Sequence, residues 1–176
     1  MSTLLETFLP IVSGNHCGHD PHNPRLSPCQ GIKKGPGAPP RILSLAAERA
    51  KEWFYNPAKC PPLNPKERKT RSERREALQV IVNALLSRLE LAALCVTTPT
   101  PDNGVIELGM RSIVEIPDLG QRRCERAIAQ LKAAGCLAVK QPRYNSAEGK
   151  YCGLRAIRVF TKIFFEWLGL AQMLSV

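Results

Sequence analysis

An α+β fold, mainly helical, is what this sequence predicts, and three observations carry that prediction. Apolar residues recur at helical spacing through most of the chain from residue 41 onward. Short β-prone runs appear in two pairs, one around a Pro-Asp-Asn-Gly turn at 101–104 and one around a polar tip at 145–151. Basic residues crowd the second pair and the helical stretch before it. From Leu119 to Phe165 there are ten Lys and Arg residues against two Glu, in a chain whose formal charge is +10.

A length of 176 residues, 44% of them hydrophobic, allows one sizeable domain with a tail. A surplus of positive charge on this scale speaks of polyanionic partners, most often nucleic acid. No apolar run reaches the roughly 20 residues needed to span a bilayer, so no membrane partner is expected. Residues 1–10 carry Glu6 and no basic segment, which argues against a secretory signal and for a cytoplasmic location. The seven cysteines are scattered, as reduced thiols would be.

Residues 1–40 read as a largely disordered Pro/Gly-rich tail. Between 13 and 40 prolines stand at 21, 24, 28, 36, 39 and 40 among few apolar residues, so little burial offsets the entropy of ordering. His16, Cys17, His19, His22 and Cys29 are ligand types for zinc, but their spacing fits no finger; no metal and no cofactor is expected.

Residues 41–65 predict a short helix and a Pro-rich linker. Ser44 is a candidate cap for a helix to Tyr55, stopped by Asn56-Pro57, and four prolines follow in 56–65.

The DNA-binding domain is expected over residues 66–176. A run of six basic and three acidic residues at 66–76 leads into a helix of about 71–89, with Thr70 and Glu73 as a capping box and Ala77, Leu78, Ile81, Leu85 and Leu89 inward. The run is also able to touch phosphates. Cys95–Thr98 and Val105–Leu108 predict a small hairpin. Met110 to Ile116 gives two helical turns, stopped by Pro117.

A second helix follows, capped by Asp118 or Gly120 and ended by Gly135. Cys124, Ala127, Ile128 and Leu131 form its inward stripe; Arg122, Arg126, Ala129, Gln130 and Ala133 form the opposite face, with Arg123 beside them. Arginine offers a rigid fork of donors that fits phosphates and the major-groove edge of guanine. Residues 136–144 and 153–161 then predict two strands, the second with Leu154, Ile157 and Val159 alternating with Arg155, Arg158 and Thr161 around one bulge. A helix-turn-helix followed by a basic hairpin is a winged helix, whose wing would lie on phosphates through Arg143, Lys150 and Arg155. A closing helix from Lys162 to Leu174 is expected to turn Ile163, Phe164, Trp167 and Leu168 inward.

Four segments carry a family resemblance: RILSLAAERAKEWFYNP at 41–57, RSERREA at 71–77, RRCERAI at 122–128 and GLRAIR at 153–158. In that order they resemble the RepA-type replication initiators of IncFII-like plasmids over residues 40–167. The resemblance implies a non-enzymatic protein that binds double-stranded plasmid origin DNA and starts replication with host replication proteins, as monomer or homodimer. Initiators of that kind usually continue into a further arginine-rich region, so this sequence is expected to occupy an origin without maintaining the plasmid. Two other functions fit the same residues: a winged-helix transcriptional repressor and a structural RNA-binding protein. No His pair on a strand and no Gly-rich phosphate loop points to nicking or nucleotide hydrolysis.

Overall fold

Residues 76–86 (EALQVIVNALL) offer almost no solvent side, and a helix apolar nearly all round belongs inside a core. In the computed structural model, which describes residues 19–24, 26, 40–64, 70–99, 105–107, 109–115, 119–145 and 151–174, every residue of that stretch is buried. The elements run α1 (Arg41–Tyr55), 3-10 turns at Pro57–Lys59 and Pro61–Leu63, α2 (Ser72–Leu86), β1 (Leu89–Glu90), β2 (Cys95–Pro99), β3 (Val105–Glu107) and α3 (Met110–Glu115). There follow α4 (Gln121–Ala133), β4 (Leu137–Lys140), β5 (Arg143–Asn145), β6 (Tyr151–Gly153), β7 (Ile157–Phe160), α5 (Lys162–Trp167) and a last 3-10 turn, Ala171–Leu174. The chain is α+β, helices with a small antiparallel sheet. No helix among the described residues is long and apolar enough to cross a membrane.

Helix α2 packs between α1 and α4. From α1 come Ile42, Leu43, Ala46, Ala47, Ala50, Trp53 and Phe54, the stripe its spacing dictates. That helix starts after Pro40 rather than at Ser44, because the Pro40 carbonyl already accepts the Leu43 N–H at 2.9 Å. Arg75 of α2 donates to the Phe54 carbonyl and lies 4.8 Å over the Phe54 ring, a cation–π contact that ties the two helices. Residues 56–64, expected as a linker, do turn at their prolines. They also bury Cys60 and Leu63 in the core shared by α1, α2 and α4. The Thr70–Glu73 capping box does not form: Arg71 is the N-cap without a side-chain bond, and the Thr70 hydroxyl donates to Asn64 Oδ1 at 2.6 Å.

The sheet runs β1–β2–β7–β4, with β3 paired to β2 to make the hairpin expected near residue 101. The strands predicted over 136–144 and 153–161 each break in two. β4 pairs with β7 in the main sheet, while β5 and β6 make a separate two-stranded ribbon. Pro142 has no N–H for the ladder, though its carbonyl accepts from Leu154 N at 2.9 Å. The chain then leaves the ladder over 154–156 and returns with opposite parity. Arg158 and Phe160 are therefore buried and Leu154 is exposed, the reverse of the predicted alternation.

Gly135 ends α4 as expected. At φ +71° it lets its own N–H reach the Lys132 carbonyl and the Cys136 N–H reach the Leu131 carbonyl, both at 3.0 Å. Gly169, at φ +65°, ends α5 by the same device at Trp167, short of the predicted Leu174. The shorter helix buries Phe164, Phe165 and Leu168, and leaves Ile163 and Trp167, both expected inward, on the surface. Phe160, Phe164 and Trp53 close this end of the core through ring contacts at 4.4 and 5.8 Å. Cys60, Cys124 and Cys136, all buried, carry free thiols. A hydrogen bond between the Cys60 and Cys136 thiols pulls the Cys60 pKa down and pushes that of Cys136 far up, with burial adding to the latter.

Candidate nucleic-acid interface

Helix α4 separates two kinds of side chain. Its apolar stripe, Cys124, Ala127, Ile128 and Leu131, is buried. Arg122, Glu125, Arg126, Ala129, Lys132 and Ala133 are exposed. Arg122 and Arg126 stand one turn apart, and neither makes an ion pair among the described residues. Gln121 Nε2 donates to Glu125 Oε1 at 2.7 Å, occupying the one carboxylate on this face.

Two predicted contact residues of α4 turn the other way. Arg123 donates through Nη2 to the Glu73 carbonyl at 3.1 Å and to Glu76 Oε1 at 3.2 Å. Gln130 donates to the Leu63 carbonyl at 2.5 Å and so fastens α4 to the second 3-10 turn. Each is half-buried and gives a donor to the protein, so both help to position α4 from the groove they line.

The carboxylate that Arg123 meets is itself buried, with 1% of its side chain exposed. An ion so placed is tolerated only when its oxygens are satisfied. The second oxygen of Glu76 lies 2.8 Å from His19 Nδ1, and His19 Nε2 lies 2.8 Å from the Ser72 hydroxyl. With Nδ1–H donating to Glu76, the neutral ring accepts at Nε2 from Ser72. Serine, histidine and carboxylate stand in the order of a nucleophile relay. Here the imidazole side chain is 1% exposed and the carboxylate is shared with Arg123. The groove between α2 and α4 is lined by Glu73, Arg74, Ala77, Arg123, Arg126, Ala127 and Gln130 without Ser72. The chain of bonds works as a clasp that fastens the segment at His19 to α2 and α4.

That clasp alters the picture of residues 13–40. His19 and Leu26 are buried although the surrounding composition is polar, because Glu76 and Ser72 satisfy the ring. Both ring nitrogens of His19 are engaged, which leaves no lone pair for a metal. His22 is exposed; His16, Cys17 and Cys29 lie outside the described residues. Among the described residues no three His, Cys, Asp or Glu side chains converge as metal ligands.

On the ribbon, Arg143 is exposed in β5, opposite Gly153, and Arg155 is exposed two residues further on. Neither makes an ion pair among the described residues. Lys150 lies outside the described residues. Arg158 is buried, and burial lowers its pKa; its guanidinium reaches the Ala156 carbonyl at 3.0 Å. The exposed cations of α4 are thus Arg122, Arg126 and Lys132, with Arg74 of α2 on the groove beside Arg126. Arg143 stands on the ribbon and Arg155 just beyond its end. The charge run at 66–76 was the signal for Arg74; Glu76, a carboxylate opening an apolar stretch, was the signal that a buried partner had to exist. No protein-family model, curated protein or solved structure matches the chain.

Proposed function

We propose that this chain binds duplex DNA through a winged helix, and that at a plasmid origin it starts replication with host replication proteins. It acts by binding, not by catalysis, and needs no cofactor. The observation that carries the proposal is the exposed pair Arg122 and Arg126 on α4, without ion-pair partners among the described residues, together with exposed Arg143 on the β5–β6 ribbon and Arg155 just beyond it. Such guanidinium groups fit phosphates and guanine edges, and the small neighbours Ala129 and Ala133 allow close approach to a groove.

The connectivity supports the same reading. Taken as α2, β2, α3, α4, β4, the β5–β6 ribbon and β7, with sheet order β2–β7–β4, the elements match the order of a winged helix in which α3 and α4 are the helix-turn-helix pair. Helix α4 then enters the major groove, with Arg126 bidentate to a guanine, and the ribbon lies along the backbone. The initiator role rests on the four segments that resemble RepA-type proteins.

Footprinting on a plasmid of the IncFII type tests the proposal. Protection within the replication origin is expected. Protection confined to a promoter would replace initiation with repression, and structured RNA outcompeting the origin duplex would remove the DNA target altogether.

A further inference from the structure

Strand β5 is uncovered on both faces: Arg143, Tyr144 and Asn145 are all exposed. Alternation puts Tyr144 on one side and Arg143, Asn145 and Gly153 on the other. The bond from Leu154 N–H to the Pro142 carbonyl extends the ladder by one pair, so Leu154 sits diagonally beside Tyr144 on the same side. Tyr144 is 51% exposed and Leu154 48%. These two side chains add little to any core, and they stand on a narrow ribbon whose opposite side carries Arg143, with Arg155 just beyond its end.

An open flat ring on one side of a narrow ribbon, with a guanidinium on the other side and a second just beyond its end, complements one chemical object well, a base on a phosphate chain. In an intact duplex the faces of each base are covered by its neighbours, whereas unpaired bases offer them. We infer that the Tyr144–Leu154 side of the ribbon is a stacking surface for unpaired bases, so that the chain prefers DNA containing a locally opened segment. The inference rests on the DNA-binding function proposed above and adds to it a preferred form of DNA.

The test is fluorescence anisotropy of the whole chain on two probes: a fully paired 24-base duplex, and the same duplex with a central four-base mismatched bubble. The bubble should bind about tenfold more tightly, the gain of roughly one stacked base. Tyr144→Ala should abolish that preference while leaving affinity for the paired probe unchanged. Tyr144→Phe should retain it, since the ring stacks without its hydroxyl. Arg143→Ala should weaken both probes alike. Circular dichroism checks that the exposed substitutions leave the fold intact. 2-Aminopurine in the bubble should lose fluorescence on binding to the wild-type chain and not to Tyr144→Ala. Equal wild-type affinity for the two probes, or a Tyr144→Ala chain that keeps the preference, overturns the inference and leaves duplex binding standing. Binding to neither probe overturns both.

Discussion

Arg122 and Arg123 are neighbours in sequence, yet they belong to two different regions of the molecule. Arg123 points into the interior side of α4, where Glu76, His19 and Ser72 form a closed chain of hydrogen bonds. Arg122, with Arg126 one turn on, stands on the open side. On the inner side the Arg123 guanidinium helps to offset a buried charge, so its removal is felt in folding. On the open side nothing in the described protein uses the charge, so its removal should be felt only by a ligand. The lesson is that arginine count alone says little about binding; what matters is whether the protein has already consumed the donors.

The largest expected effect falls on the inner side. Glu76→Ala leaves His19 and Arg123 without their shared acceptor and should lower stability by about 3–5 kcal/mol, read from urea unfolding. A loss below about 1 kcal/mol would mean that the clasp carries no weight, since ordinary surface changes already span that range.

A paired substitution sharpens the contrast. Arg123→Ala removes one partner of a buried carboxylate and should cost about 1–3 kcal/mol of stability, whereas Arg122→Ala should stay within about 0.5 kcal/mol of wild type. Equal melting temperatures for the two variants would erase the distinction between the two sides.

How much of this was legible in the sequence varies with the kind of force involved. The stripe Cys124, Ala127, Ile128 and Leu131 and the Gly135 stop came directly from helical spacing and from the need for a positive φ. Local pattern failed where tertiary contacts decide. Nothing local marks Gln130 as the donor to a carbonyl 67 residues earlier, or His19 as the partner of Glu76. The ribbon was misjudged because Pro142 and the excursion at 154–156 reset strand parity, which moved Arg158 inside and Leu154 out. Trp167 lies outside because α5 turns Phe164 and Phe165 inward, with Leu168 after them, and that phase leaves Trp167 on the outer side.

Smaller effects test the open side. Arg126→Ala should weaken binding to a preferred duplex by about 1–3 kcal/mol and relax the base preference at one position, measured by selection from a random duplex pool. A uniform loss across all sequences would demote Arg126 to a phosphate contact. Arg155→Ala, just beyond the ribbon, should weaken every duplex alike and flatten the slope of log affinity against log salt by about one unit. An unchanged slope would take Arg155 out of the interface.

The most direct measurement combines both sides of the comparison in one pair of proteins. Duplex DNA is titrated with the wild-type chain and with the Arg122→Ala/Arg126→Ala variant at several salt concentrations, and both are unfolded in urea. The open-face account predicts at least about a tenfold loss of affinity and a shallower salt dependence, with the unfolding midpoint unmoved. Wild-type affinity in the double variant would contradict it.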